Sequence, residues 1–548
     1  MSENKQSSFL ITVTGTAVVL TVGIAAYVFF KGSGDTSTPL GKAKLVPETA
    51  LMATYINTNA ESWNKLQKFG NPKAQQIVSK KLETSLQQIL NNDKISYESD
   101  IKPWVGGIMI AVLPPEIAKT SQLNVGASSP TNVLLIVGIK DKLSALNFAS
   151  KLKQQKEIKT EETDYKGQKI IASKTKAGAT YTTILDNSNL LISAEKPVVE
   201  KAIDTYKGGG SFAGKTGASE ILNKGADVEN SLAQIYIPDY GNMLAKLGGN
   251  SPNKQLPSQV KQFKSLVAGV GVDNLGLRFK ATVNLDPQLN KISYENTPGK
   301  ILGQFPQETF AIVTGKAINK GWQNFVEQSK DAPELNQTIE QVRGQLKLVN
   351  LDVDKDIFGW MDGEFGIGAV QSNQGLLANV GFGGALIFDT SDRKTAESTL
   401  SKFDDIAKSQ RLNVAQKNVD GKEITEWQIP QQGALISHGW LDDKTVFLSL
   451  GGPVGETLIN RKGQSLDQTE NFKTISSALR KPNGGYFYLD MDKMTSVLDK
   501  ITAQSQSLTP ENKAILTSIR GLGITANSPN KSVTNMDMIL VLKPKEGK

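Results

Sequence analysis

The chain has 548 residues, 39% of them hydrophobic and 21% charged, a length beyond a single core and a composition typical of folded protein. The net charge of +8 is small for that length and comes mostly from lysine, so an arginine-built nucleic-acid surface is not indicated. The absence of cysteine excludes disulfides, thiolate metal sites and cysteine nucleophiles, and the single histidine, His438, excludes any site built from several.

In chain order, residues 1–8 form a short polar tail and Phe9 to Phe30, "FLITVTGTAVVLTVGIAAYVFF", carries no charge. As a helix rising ~1.5 Å per residue this run would cross a hydrocarbon layer of about 30 Å. It is longer than a signal-peptide apolar core and ends in bulky Tyr27, Phe29 and Phe30, so a single-pass transmembrane anchor is expected over 9–30. The flanking lysines Lys5, Lys31, Lys42 and Lys44 do not settle its orientation. A Gly/Ser/Thr/Pro tether, 31–44, is expected next.

Two long segments then repeat the same signals in the same order. "PETALMATYINTNAESW" (47–63) answers to "PQETFAIVTGKAINKGW" (306–322), and "DIKPWVGG" (100–107) to "DIFGWMDG" (356–363). "KGQKI" (166–170) answers to "DGKEI" (420–424), and "NLLISAEKPVVEKAI" (189–203) to "TVFLSLGGPVGETLI" (445–459). Tyr236 falls on Tyr488, and Gly269 and Gly271 on Gly521 and Gly523. Six ordered matches point to a tandem duplication: repeat 1 at 45–287, a linker at 288–300, repeat 2 at 301–544 and a tail at 545–548.

Within each repeat, runs such as "NVLLIVGIK" and "GGALIFD" read as strands, each followed by an amphipathic helix. Short adjacent strands imply hairpins. The expected fold class is α+β: an N-terminal transmembrane helix, then two tandem domains of mostly antiparallel sheet with helices on one face.

The stretch "GGGSFAGKTG" matches the phosphate-loop pattern at Gly209, Gly214, Lys215 and Thr216. That loop needs a strand before it, whereas "KPVVEKAIDTYK" before it reads as a helix, so the glycines are expected to cap a helix C-terminus. No nucleotide or other cofactor is expected. Serine–lysine pairs at Ser62/Lys65, Ser251/Lys254, Ser391/Lys394 and Ser528/Lys531 match the background of a chain rich in both residues. "DVDKD" (352–356) reads as a solvated turn, "DMD" (490–492) as a strand end, and the basic stretch Lys151–Glu162 as a solvated helix face. Trp63, Trp322, Trp104 and Trp360 read as core packing, and His438 as a structural or surface residue near a strand end. No catalytic, metal or cofactor-binding residue is assigned.

The anchor, the "VPETA" and "FPQET" openings, "DI..W..G" and the "P-V-x-x-x-x-I" helix resemble a family of cyanobacterial membrane-anchored proteins defined by a domain of unknown function. The resemblance implies a photosynthetic bacterial host and a globular part in periplasm or lumen, at the plasma or thylakoid membrane. The expected role is a non-enzymatic, membrane-tethered protein for interaction or assembly with a protein partner. The alternative is a carrier for an apolar or lipid-like ligand, and an extracytoplasmic hydrolase is disfavoured by the single histidine and the lack of a duplicated polar constellation.

Overall fold

A computed structural model describes residues 38–77, 80, 97–114, 132–153, 159–175, 178–247, 258–290, 294–461, 463–502 and 508–545. The expected anchor at 9–30 lies outside them. Among the described residues, no helix is long and apolar enough to cross a membrane. The chain divides into two compact units that meet in sequence at Asp286 and Pro287.

Among the described residues the first unit has ten strands: β1 (Met52–Ile56), β2 (Val105–Leu113), β3 (Asn132–Ile139), β4 (Lys159–Tyr165), β5 (Gln168–Thr175), β6 (Gly178–Leu185), β7 (Asn189–Ser193), β8 (Ser231–Ile237), β9 (Phe263–Val272) and β10 (Gly276–Leu285). Their order across the sheet is β4-β5-β6-β7-β3-β2-β1-β8-β9-β10, with every pairing antiparallel.

The second unit holds β11 (Thr309–Lys316), β12 (Glu364–Gln371), β13 (Phe382–Asp389), β14 (Asn413–Val419), β15 (Lys422–Ile429), β16 (Gly433–Trp440), β17 (Thr445–Leu450), β18 (Tyr486–Asp490), β19 (Ile519–Asn530) and β20 (Val533–Leu542). Their order is β14-β15-β16-β17-β13-β12-β11-β18-β19-β20, again antiparallel throughout. The two orders agree strand for strand. In each, the first strand of the unit sits in the middle of the sheet.

Local chemistry repeats too. Lys166 and Gly167 join β4 to β5 with φ of 50° and 74°, and Asp420 and Gly421 join β14 to β15 with φ of 48° and 82°. Both are two-residue turns with positive φ at each centre, which match the twist of a hairpin. The Asp164 and Asn418 side chains each accept the glycine N–H at 3.1 Å. Pro47 bridges to Ser211 in one unit, and Pro306 to Ser465 in the other.

Helices lie on both faces of the sheet, not on one. Tyr55 and Met109 pack with Val198, Val199 and Ala202 of the helix Lys196–Tyr206. Their neighbours Ile56 and Ile108 point the other way, onto Trp63, Trp104 and Phe148. The reason is visible in the strands: β2 and β3 are apolar at successive positions, so each face needs cover.

Other expectations also shift. The end of the expected tether is folded: Pro39–Ala43 is a helix capped by Thr38, and Lys42 and Ala43 are fully buried. The segment expected as linker carries buried Asn290, and Thr297 N–H donates to the Asn483 carbonyl. The basic stretch from Lys151 leaves its helix at Lys153 and re-enters as β4 at Lys159, so it is no single helix face. The glycine match also fails in register: Tyr488 faces Gly523, whereas Tyr236 faces Val267, not Gly271.

Candidate functional site

The glycine-rich stretch is a helix end. The helix Lys196–Tyr206 precedes it, Gly208 turns the chain at φ 109°, and Gly209 N–H returns to the Asp204 carbonyl. Residues Phe212–Gly214 then form a single 3-10 turn, with Phe212 and Ala213 buried. Lys215 Nζ donates to the Ala50 carbonyl at 3.2 Å, and a helix begins only at Ala218. The backbone groups of the loop face this chain's own N-terminal segment: Glu48 N–H to the Gly210 carbonyl, and Phe212 N–H to the Val46 carbonyl.

A similar polar constellation does occur in both units, against expectation. Asp100 and Asp356 each stand four residues before a buried tryptophan, and each carbonyl accepts the indole N–H of Trp104 or Trp360 at 2.8 Å. Each carboxylate also meets a lysine at 2.7 Å, Lys151 or Lys402, from the helix after β3 or β13. Those helices start alike, with Asp141 capping Ser144 and Asp392 capping Thr395. Burial opposes ionisation of Asp356, but Lys402 and the Asp352 N–H outweigh it and hold the carboxyl below its usual range.

In the "DVDKD" run Asp352, Asp354 and Lys355 are exposed, as a solvated turn predicts, while Val353 and Asp356 are buried. Asp352 accepts the N–H groups of Asp354 and Lys355. Asp354 takes a two-pronged contact from Arg343 at 2.8 and 2.9 Å and the Trp322 indole at 2.7 Å. Arg343 first, and Trp322 after it, lower the Asp354 pKa against burial. These carboxylates fasten helices. At "DMD", Asp490 ends β18 buried and caps the next helix through the N–H groups of Asp492 and Lys493, while exposed Asp492 pairs with Lys543.

Trp63, Trp104 and Trp360 are buried as expected. Trp322 is not: it is half-exposed and stacks on Phe358 at 4.5 Å. Of the serine–lysine pairs, Lys65 bonds to Asn230, Ser391 to Asp362 and Ser528 to Thr534; Ser251 and Lys254 lie outside the described residues.

His438 sits on β16 near its end, buried, and lines a cleft of about 480 Å³ in the second unit. One wall is the helix Arg393–Ser409, and the others are β14, β15 and β16 with the loop after β16. His438 Nε2 lies 2.8 Å from Asp404 Oδ1, and the Trp427 indole N–H donates to the same oxygen at 2.6 Å. Burial raises the Asp404 pKa, but the His438 and Trp427 hydrogen bonds overcome it and keep the carboxyl below its ordinary value. A single histidine was visible in the sequence; its partners Asp404 and Trp427 were not, because they come from two other elements.

The second unit also carries an apolar row across its sheet, exposed at Val313 and Ile367 and half-buried elsewhere, with Leu386 and Leu448 packed against the cluster of Trp360, Phe388, Ala396, Leu400 and Val446. Met538, Ile524, Phe487, Val313, Ile367, Leu386 and Leu448 face one another on successive strands. Val313 and Ile367 are each 44% exposed, although β11 and β12 are central strands. In the first unit Thr54, in the place of Val313, is buried and Ile110, in the place of Ile367, is half-buried, while Ile235, in the place of Phe487, is buried and packs with Met243 of the helix Tyr240–Leu247.

Crystal forms III, IV and I of TP0453 are similar solved structures at 11% identity, with TM-scores of 0.25, 0.25 and 0.26. They cover 44%, 45% and 47% of this chain and 79%, 80% and 81% of theirs, and likeness at that level carries no argument. A search of curated proteins matched none. One family model, described as "Protein of unknown function (DUF3352)", matches residues 11–542. Since that match takes in both sheets, the paired tryptophan–aspartate–lysine anchors and the His438 cleft, the chain belongs to the DUF3352 family.

Proposed function

We propose that the chain is a non-enzymatic, single-pass membrane protein of a cyanobacterial host. Residues 9–30 anchor it, and two α+β repeats, 45–287 and 301–544, stand in the periplasm or lumen for protein interaction or assembly. The shared strand order, the Pro47–Ser211 and Pro306–Ser465 bridges and the two Asp–Lys anchors support an origin by duplication. The interaction reading rests on the row exposed at Val313 and Ile367, since exposed apolar surface on a sheet is costly unless something covers it. The same row favours a second reading, a carrier for an apolar or lipid-like ligand.

The test places a photo-crosslinking residue at position 313 or 367 of the full-length chain in its own membranes, with exposed Lys473 as the control position. A discrete protein adduct at 313 and 367, absent at 473, is the expected result. Lipid adducts alone would transfer the role to the carrier reading. No adduct at either position would refute both.

A further inference from the structure

We infer that the helical hairpin Ile318–Ser329 and Pro333–Leu348 is a docking surface for the same hairpin of a second copy of this chain. The proposal is independent of the anchor, of the apolar row and of the His438 cleft. The helix Pro333–Leu348 carries Leu335, Ile339, Val342 and Leu346, with Val349 next, a spacing of four and three that lays one apolar seam along it. Ile318, Trp322, Phe325 and buried Ser329 keep the same spacing on the other helix. Such a seam normally faces a core. Here Ile339 is the one buried residue of sixteen, Leu335 and Leu346 are half-buried, and Phe325, Val342 and Val349 are 43%, 39% and 45% exposed. Within its own chain the helix has only Ile318–Ser329 beside it and the Arg343–Asp354 pair to hold it, so part of the seam lacks cover.

The seam selects its occupant. About the point between Glu340 and Gln341 it is symmetric: Ile339 answers to Val342, Leu335 to Leu346 and Glu334 to Lys347. A two-fold interface requires this self-complementarity, because each residue meets the partner of its counterpart. A second copy laid antiparallel therefore sets leucine on leucine and isoleucine on valine. The charges agree. Acidic Glu334 and Glu340 lie in the first half of the helix and basic Arg343 and Lys347 in the second, and exposed Glu334 and Lys347 make no ion pair among the described residues. An antiparallel copy brings each acidic half level with the other's basic half and opposes the two helix dipoles, whereas a parallel copy sets like against like.

The area is sufficient but small. Sixteen residues rise about 24 Å and two helices side by side span about 20 Å, so each copy offers roughly 480 Å². The total of about 1,000 Å² reaches the lower end of specific interfaces and fits a reversible dimer.

The chain has no cysteine, so a single introduced one reports the contact without background. Full-length protein in detergent would carry Val342→Cys or Leu348→Cys and be treated with a short bismaleimide. In the antiparallel pair the two copies of position 342 are offset by about 5 Å along the axis, and those of position 348 by about 22 Å. The expected result is a crosslinked dimer from Val342→Cys and none from Leu348→Cys, although Leu348 is 86% exposed. Sedimentation of the parent should show a monomer–dimer equilibrium between about 1 and 100 μM, which Val342→Glu weakens about tenfold or more. Should that variant unfold, the cysteine pair still decides. Glu334→Lys should weaken the dimer about twofold and Glu334→Lys with Lys347→Glu should restore it, a rescue that a folding defect would not give. A parent that stays monomeric throughout, a dimer that survives a folded Val342→Glu, or equal crosslinking at 348 would overturn the proposal.

Discussion

Lys402 reaches across from the helix after β13 and meets Asp356 at 2.7 Å, which ties that helix to the turn carrying Trp360. Asp356 is nearly buried and also takes the Asp352 N–H and, through its carbonyl, the Thr399 hydroxyl. Asp356→Ala should therefore destabilise the second unit by about 2–3 kcal/mol, the cost of losing charge-assisted hydrogen bonds. Lys402→Ala should cost about 1 kcal/mol, because its end is more exposed. The sign with pH follows from the depressed folded pKa. The stabilisation is present above the ordinary aspartate range and disappears as pH falls through the lower folded value. Urea unfolding at neutral and strongly acid pH checks both the magnitude and the loss.

The four tryptophans should not behave alike. Trp63→Ala removes a buried ring whose N–H reaches the Asn57 carbonyl, and should cost about 3–5 kcal/mol. Trp322→Ala removes a half-exposed ring and should cost clearly less, about 1–2 kcal/mol. Thermal unfolding of the two variants tests the order.

In the glycine-rich stretch, a methyl at Gly214 would meet nothing closer than 3.8 Å, whereas at Gly209 it would come within 2.9 Å of the Asp204 carbonyl oxygen. Gly214→Ala should shift stability by less than about 0.5 kcal/mol, and Gly209→Ala should cost about 1–3 kcal/mol. A phosphate loop would demand the reverse sensitivity in ATP binding. Comparing the stability of the two variants, and any ATP affinity, separates a helix cap from a nucleotide site.

Burial raises the Asp389 pKa above its usual value, and the carboxylates of Glu364 and Asp442 add to the rise while Thr445 opposes it. An acid with a raised folded pKa opposes folding when ionised, so stability should improve as pH falls through that value. Asp389→Asn should match or exceed the parent at pH 7 and keep the Thr445 hydroxyl's acceptor. The advantage should vanish in acid. Thermal midpoints across the acid range would show it, and a less stable Asn variant at neutral pH would contradict it.

Much of this architecture was legible because its signals are local. "KGQ" and "DGK" specify hairpin turns through positive φ, and Pro197 marks a helix start. The two-sided cover was also legible in principle, since "NVLLIVGI" is apolar at consecutive positions, but helices on one face only were expected. The Gly269 and Gly521 pairing misled because a G-x-G run fits many strand positions and fixes no register. Asp404, Trp427 and His438 were out of reach: they lie on a helix and two strands, and the first unit has no counterpart to flag them. Trp322 has the spacing of Trp63 but not its burial, because it stacks on Phe358 and donates to the Asp354 carboxylate instead of entering a core.

The place of β1 and β11 at the middle of their sheets has a cost in time. Ala53 must wait for Tyr236 and Ile312 for Tyr488, partners that leave the ribosome well over a hundred residues later. Until then each opening strand offers a bare apolar edge, the kind of surface that aggregates or recruits a chaperone. Each half is therefore committed to a late closure, and a chain truncated before β8 would keep its first strand paired to β2 on one side only, as a bare edge.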